Sequence, residues 1–186
     1  MKFRFPIVII DEDFRSENTS GSGIRALAEA IEREGVEVLG VTSYGDLSQF
    51  AQQQSRASAF ILSIDDEEFT PGPEIDPAVV NLRVFIEEIR RKNAEIPIYL
   101  YGETRTSRHI PNDILRELHG FIHMFEDTPE FVAKHIIREA KSYLEGVQPP
   151  FFKALLDYAE DGSYSWHCPG HSGGVAFLKS PVGQMY

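Results

Sequence analysis

The stretch FPIVIIDEDF, residues 5–14, decides the fold. Ile7 to Ile10 is an unbroken β-branched run, which fits a strand apolar on both sides, as in a sheet covered on both faces. The run stops at Asp11, Glu12 and Asp13, so the strand ends at a polar edge. Working outward from Pro6–Ile10, four more short apolar segments read as buried strands: Val36–Thr42, Ala59–Ile64, Ile96–Tyr101 and Phe121–Phe125. Helical periodicity separates them. GIRALAEAIEREG (23–35) puts Ile24, Leu27, Ala28 and Ile31 on one stripe and ends on Gly35, a C-capping residue. A weaker pattern, YGDLSQFAQQQ, covers 44–54. The stretch from Pro77 to Asn93 aligns Val79, Leu82, Phe85, Ile86 and Ile89. PNDILRELHG (111–120) is short and closes at Gly120. The last pattern opens with Thr128 as N-cap and Pro129 at the first helical position, and it predicts Phe131, Val132, His135, Ile136 and Ala140 facing inward. Strand then helix, five times, predicts an α/β domain. The expected architecture is flavodoxin-like (receiver-like), a five-stranded parallel sheet in the order 2-1-3-4-5.

The chain has 186 residues, a hydrophobic fraction of 42% and a formal net charge of −11. That hydrophobic content supports a packed core rather than disorder. A strongly acidic chain is a poor partner for nucleic acid, and it repels its own copies until acidification protonates carboxylates and the six His residues. A single Cys, Cys168, excludes a disulfide framework and suits a reducing cytoplasm. No apolar run reaches the roughly 20 residues of a membrane span. The N-terminus turns acidic too early for a secretory signal.

In the order 2-1-3-4-5 the C-terminal ends of strands 1 and 3 are neighbours. Asp11–Asp13 and Asp65–Glu68 therefore share one sheet edge. This arrangement resembles a response-regulator receiver domain, in which acids after strand 1 and an aspartate after strand 3 hold magnesium and accept a phosphoryl group. The rest of the receiver pattern fails. Gly102 and Glu103 occupy the place of the hydroxyl residue after strand 4, with Thr104 late. After strand 5 the required lysine is replaced by Glu126, Asp127 or Thr128 in MFEDTPEF. An anion there reverses the electrostatics of a phosphate site. The opening acids are read as a solvated rim, and the proline-containing acidic stretch 65–77 as a surface loop. Receiver or pseudo-receiver remains the alternative reading.

Other motifs carry less. SGSG (20–23), placed before the first long helix, could seat an anion but is no GxGxxG. His109, His119, His123 and His135 are scattered over different elements. His167 and His171 sit in a Pro/Gly segment, so no zinc site is expected. Cys168 has no nucleophile context, and no loop suits a flavin. No residue of this chain is assigned a catalytic, cofactor-binding or metal-ligating role.

After Gly146 the composition changes. VQPPFFKALLDYAEDGSYSWHCPGHSGGVAFLKSPVGQMY (147–186) holds one short amphipathic helix and then a Gly/Pro-rich aromatic tail that cannot form a core alone. Several features resemble the junction of the bacterial ornithine/lysine/arginine decarboxylase family. They are Pro149–Pro150, Tyr164, Trp166, Pro169–Gly170–His171, Gly173–Gly174, Phe177, Lys179 and Pro181–Val182–Gly183. The inducible arginine and lysine enzymes look most similar. The resemblance implies a wing domain at 1–128, a helical linker at 129–162, and the start of a truncated pyridoxal-phosphate domain at 163–186. It implies a cytoplasmic, pyridoxal 5'-phosphate-dependent enzyme of acid resistance whose cofactor-binding residues lie downstream, so this chain would bind no cofactor and lack the active site. It further implies self-association into dimers and a decamer, and packing of the tail, with Phe151, Phe152, Leu155, Leu156 and Tyr158, on the downstream domain or on a dimer mate. His171 and Lys179 read as anchors. The acidic stretch Asp65–Asp76 is a candidate for the surface on which association responds to pH.

Overall fold

A computed structural model of the chain describes residues 3–43, 57–64, 77–103 and 110–147. The tail motifs, the acidic stretch 65–76 and the pattern at 44–54 lie outside the described residues. Five strands form one parallel sheet in the order β2-β1-β3-β4-β5. They are β1 (Phe3–Ile10), β2 (Val36–Val41), β3 (Ala59–Ser63), β4 (Ile98–Gly102) and β5 (Gly120–His123). The helices are α1 (Thr19–Arg33), α2 (Pro77–Lys92), α3 (Asn112–Glu117) and α4 (Pro129–Val147), with a 3-10 turn at Glu12–Arg15. This is the expected flavodoxin-like order.

Each central strand feeds two cores because alternate side chains point to opposite faces. Ile7, Ile9, Ala59, Ile61, Tyr99 and Tyr101 pack under α1 and α4. Val8, Ile10, Phe60, Leu62, Ile98 and Leu100 pack under α2 and α3. Pro6 sits in β1, a central strand, where a residue without an N–H breaks the ladder. The β1–β2 register accordingly shifts between Phe3 and Ile7. On the other side the Pro6 carbonyl is still used, accepting from the Ser58 amide at 3.0 Å.

The predicted inward stripes of α1 and α2 are buried in full. Gly35 has φ +84° and its amide donates to the Glu32 carbonyl at 3.0 Å, so the C-cap reading holds. Gly35→Ala should cost about 1 kcal/mol, because only glycine adopts that φ without strain. Urea unfolding of the two proteins measures it.

Three expectations are corrected. In α4 the buried residues are Val132, Ala133, Ile136, Ala140 and Leu144, whereas Phe131 is 75% exposed and His135 is also exposed. The stripe turns toward Ala133 because α4 lies against α1, where Ala28 and Ala30 are buried too, and small residues let two helices approach. Gly120 is not a helix cap: α3 ends at Glu117 and Gly120 opens β5. β5 also ends at His123, which leaves Phe125 66% exposed. α4 itself packs on the sheet in the core it shares with α1.

Candidate functional site at the C-terminal edge of the sheet

The register brings Ile10 opposite Leu62, and Ser63 opposite Tyr101. One step beyond Ile10, Asp11 therefore heads a row Asp11–Ser63–Tyr101 that runs across β1, β3 and β4. The β1–β2 ladder also continues past the strand's end, with the Asp11 amide donating to the Val41 carbonyl at 3.0 Å. Asp11 is consequently drawn inside and is 2% exposed. Here the solvated-rim reading fails. It holds for Glu12, which is exposed, while Asp13 is half-buried.

Ser63 hydrogen-bonds the Asp11 carboxylate, but Oδ1 has no partner. Burial raises the Asp11 pKa from 3.8 to about 6 against the opposing bonds from Ser63 and the Asp13 backbone, and the negative charges of Asp13 and Glu12 push the same way as burial. The Tyr101 hydroxyl is also buried without a partner. Its pKa is pushed up to about 12, by burial first and then by the Asp11 carboxylate. Gly23 of α1 lies directly over it: a β-carbon there would stand 2.5 Å from the Tyr101 hydroxyl oxygen.

SGSG does not precede α1 but lies inside its first turns. Asn18 caps that end, its Oδ1 accepting from the Gly21 amide at 2.8 Å. A β-carbon on Gly21 would meet the Asp13 and Ser16 carbonyls at 2.3 and 2.5 Å. The Arg25 guanidinium is spent on the carbonyls of Phe14 and Ser16. At this corner the Gly21 amide and the Arg25 guanidinium are thus turned to the protein's own acceptors. After β5, the place where a receiver needs its lysine, Asp127 instead closes a turn, with Oδ2 accepting from the His123 amide at 2.7 Å. Among the described residues no group of three or more His, Cys, Asp or Glu could hold a metal ion. Asp65–Glu68, Thr104, His109, His167, Cys168, His171 and Lys179 lie outside them.

Two further features escaped the sequence reading. The His119 Nδ1 accepts from the Ile98 amide at 3.4 Å, and burial, then Arg90, lowers its pKa. The Tyr99 ring sits between His119 and His135, with centroids 6.3 and 6.2 Å away. Its hydroxyl is buried without a partner, and burial holds its pKa well above the ordinary phenol range.

Fold and edge together define a flavodoxin-like domain of receiver type without the receiver's cation. A response regulator receiver domain from Clostridium thermocellum shares the fold, with TM-score 0.51 at 14% identity over 74% of this chain and 94% of that one. The chain belongs to the ornithine/lysine/arginine decarboxylase family: the profile for the N-terminal domain of Orn/Lys/Arg decarboxylases matches residues 19–143, and that for the major domain matches 149–186. Lysine decarboxylase LdcA of Pseudomonas aeruginosa is 31% identical across 98% of this chain and 24% of its own length. The biodegradative arginine decarboxylase of Escherichia coli is 30% identical across 97% and 23%. The solved structure of lysine decarboxylase A from P. aeruginosa superimposes with TM-score 0.68 at 32% identity, covering 97% of this chain and 24% of that one. The chain thus spans about a quarter of the curated relatives it matches. No helix among the described residues is long and apolar enough to cross a membrane.

Proposed function

We propose that this chain is the assembly (wing) domain and linker of a cytoplasmic, pyridoxal phosphate-dependent decarboxylase acting on arginine, lysine or ornithine, and that it does not catalyse alone. The observation that carries this is the sheet edge. Among the described residues, the edge where this fold places ligands holds a buried acid, a capped helix N-terminus and an Arg25 turned to backbone carbonyls. Such a domain serves by docking. Bound downstream, the cofactor would supply the electron sink for loss of the α-carboxylate. The front domain would hold copies of the enzyme together, as dimers and then a ring, while residues 149–186 lead into the cofactor domain.

Exposed Phe131 and Phe125, and the pair Val80 and Val84 one turn apart on α2, supply apolar surface for docking. The net charge of −11 sets its pH dependence. Copies repel at neutral pH and associate as carboxylates take up protons. Sedimentation of the full-length protein from pH 8 to pH 5 is expected to show association rising as pH falls. Stronger association at pH 8 would refute the role. The 186-residue chain, given pyridoxal phosphate and each basic amino acid, is expected to release no carbon dioxide. A pseudo-receiver reading draws only on the shared fold, and titration with a phosphoryl analogue is expected to leave the chain's spectrum unchanged.

A further inference from the structure

We propose that the buried row Asp11–Ser63–Tyr101 is a proton-operated latch: the front domain takes up a proton at Asp11 in mild acid and is thereby tightened at the C-terminal edge of its sheet. A carboxylate is ordinarily kept out of a protein interior unless its oxygens are bonded or a cation sits beside it. Asp11 is 2% exposed, its Oδ1 has no partner, and the Tyr101 hydroxyl two strands away is orphaned as well.

The 3-10 turn brings Glu12 and Asp13, both acidic. Among the described residues, β3 brings the neutral Ser63, β4 the neutral Tyr101, and β2 the Val41 carbonyl. Arg25 of α1 is turned to the Phe14 and Ser16 carbonyls. Every charge named as acting on Asp11 disfavours its ionised form. A neutral carboxyl carries no buried charge and gains an O–H that can donate within the row.

The direction follows from linkage. The folded domain holds the Asp11 proton up to about pH 6, whereas the unfolded chain releases it near 3.8. Acidification through this window therefore favours the folded state, and the contribution is lost as pH rises through 6. Separated midpoints of this size correspond to roughly a hundredfold in the folding equilibrium. This opposes the usual acid destabilisation by paired carboxylates.

The test is urea unfolding of the full chain between pH 4.5 and 7.5, for wild type and Asp11→Asn, with carbon-13 NMR of the wild-type Asp11 carboxyl as a readout that needs no variant. Asn places a neutral group of the same shape at the site. It is expected to raise stability at pH 7.5 by tens-fold in the folding equilibrium and to flatten the dependence between pH 5 and 7. The Asp11 carbon is expected to titrate near pH 6. A midpoint in the ordinary range near 4, or an Asp11→Asn protein with the pH dependence of wild type, would overturn the latch. If the variant does not fold, the NMR midpoint decides alone.

Discussion

Phe60→Ala is expected to remove about 4 kcal/mol of stability, a large share of the roughly 5–15 kcal/mol that holds a domain of this kind folded. Phe60 is fully buried on β3, the middle strand of the sheet. Its ring meets Phe85 of α2 edge-to-face, with centroids 6.4 Å apart and planes at 83°. This contact ties α2 to the sheet, with Leu62, Leu82 and Ile89 packed in the same core. Alanine leaves a cavity in a place where strands on both sides prevent collapse, so the cost is that of lost transfer energy plus an unfilled hole. Phe131→Ala removes the same atoms from a 75% exposed site and should change stability by less than about 0.5 kcal/mol. Urea midpoints of the two variants, read side by side, check the pair. Equal losses would mean that Phe131 is covered in solution, which is itself what docking of copies through that surface would produce.

The contrast between these two phenylalanines shows where the sequence was legible. Phe60 lies in the run AFILS, and a five-residue, mainly apolar run bounded by polar residues is too short for a buried helix, so length decides for a strand. The same holds for β1 and for α1 and α2, whose apolar residues repeat at helical spacing. In α4, Phe131, Val132 and Ala133 are all apolar, so periodicity alone leaves the stripe free to rotate by one residue. Closeness to α1 chooses alanine over phenylalanine, and that is tertiary information. By eye the family is read most directly in the tail motifs, because receiver-type folds carry many chemistries. Asp11 was misread for a different reason. A strand's hydrogen-bond ladder does not end where its apolar letters end, and one further bond, from the Asp11 amide to Val41, brings the carboxylate indoors. The absence of a receiver lysine was readable directly from MFEDTPEF. That Asp127 uses its carboxylate to close the turn after β5 was not, since it needs the geometry of His123.

Arg90→Met is expected to cost about 2–3 kcal/mol; at four residues after Ile86, Arg90 lies on the apolar stripe of α2 that Arg91 leaves. Arg91 is on the surface, 73% exposed beside Glu88. The Arg90 side chain is only 16% exposed at the end of α2. It donates to the Ile96 carbonyl at 2.6 Å and to the Glu117 carbonyl, and it pairs with the Glu117 carboxylate at 3.3 Å. One guanidinium thus joins the end of α2, the turn before β4 and the last residue of α3. A six-residue helix is too short to persist by propensity alone, and a cation at its C-terminus satisfies the carbonyl it leaves open. Methionine keeps the packing of the aliphatic stem and removes all the donors, so the cost measures the bonds rather than the volume. Lysine restores the charge without the fork and should recover less than half of the loss. Arg83, which meets Asp113 at 2.7 Å on the same two helices, is 46% exposed, and its removal should cost less than about 1 kcal/mol. Hydrogen exchange adds a local signature: the amides of Leu115 and Leu118, bonded at 3.1 and 3.3 Å, should lose protection in Arg90→Met before β3 does. A variant as stable as wild type, with α3 equally protected, would show that packing of Ile114 alone holds α3 in place.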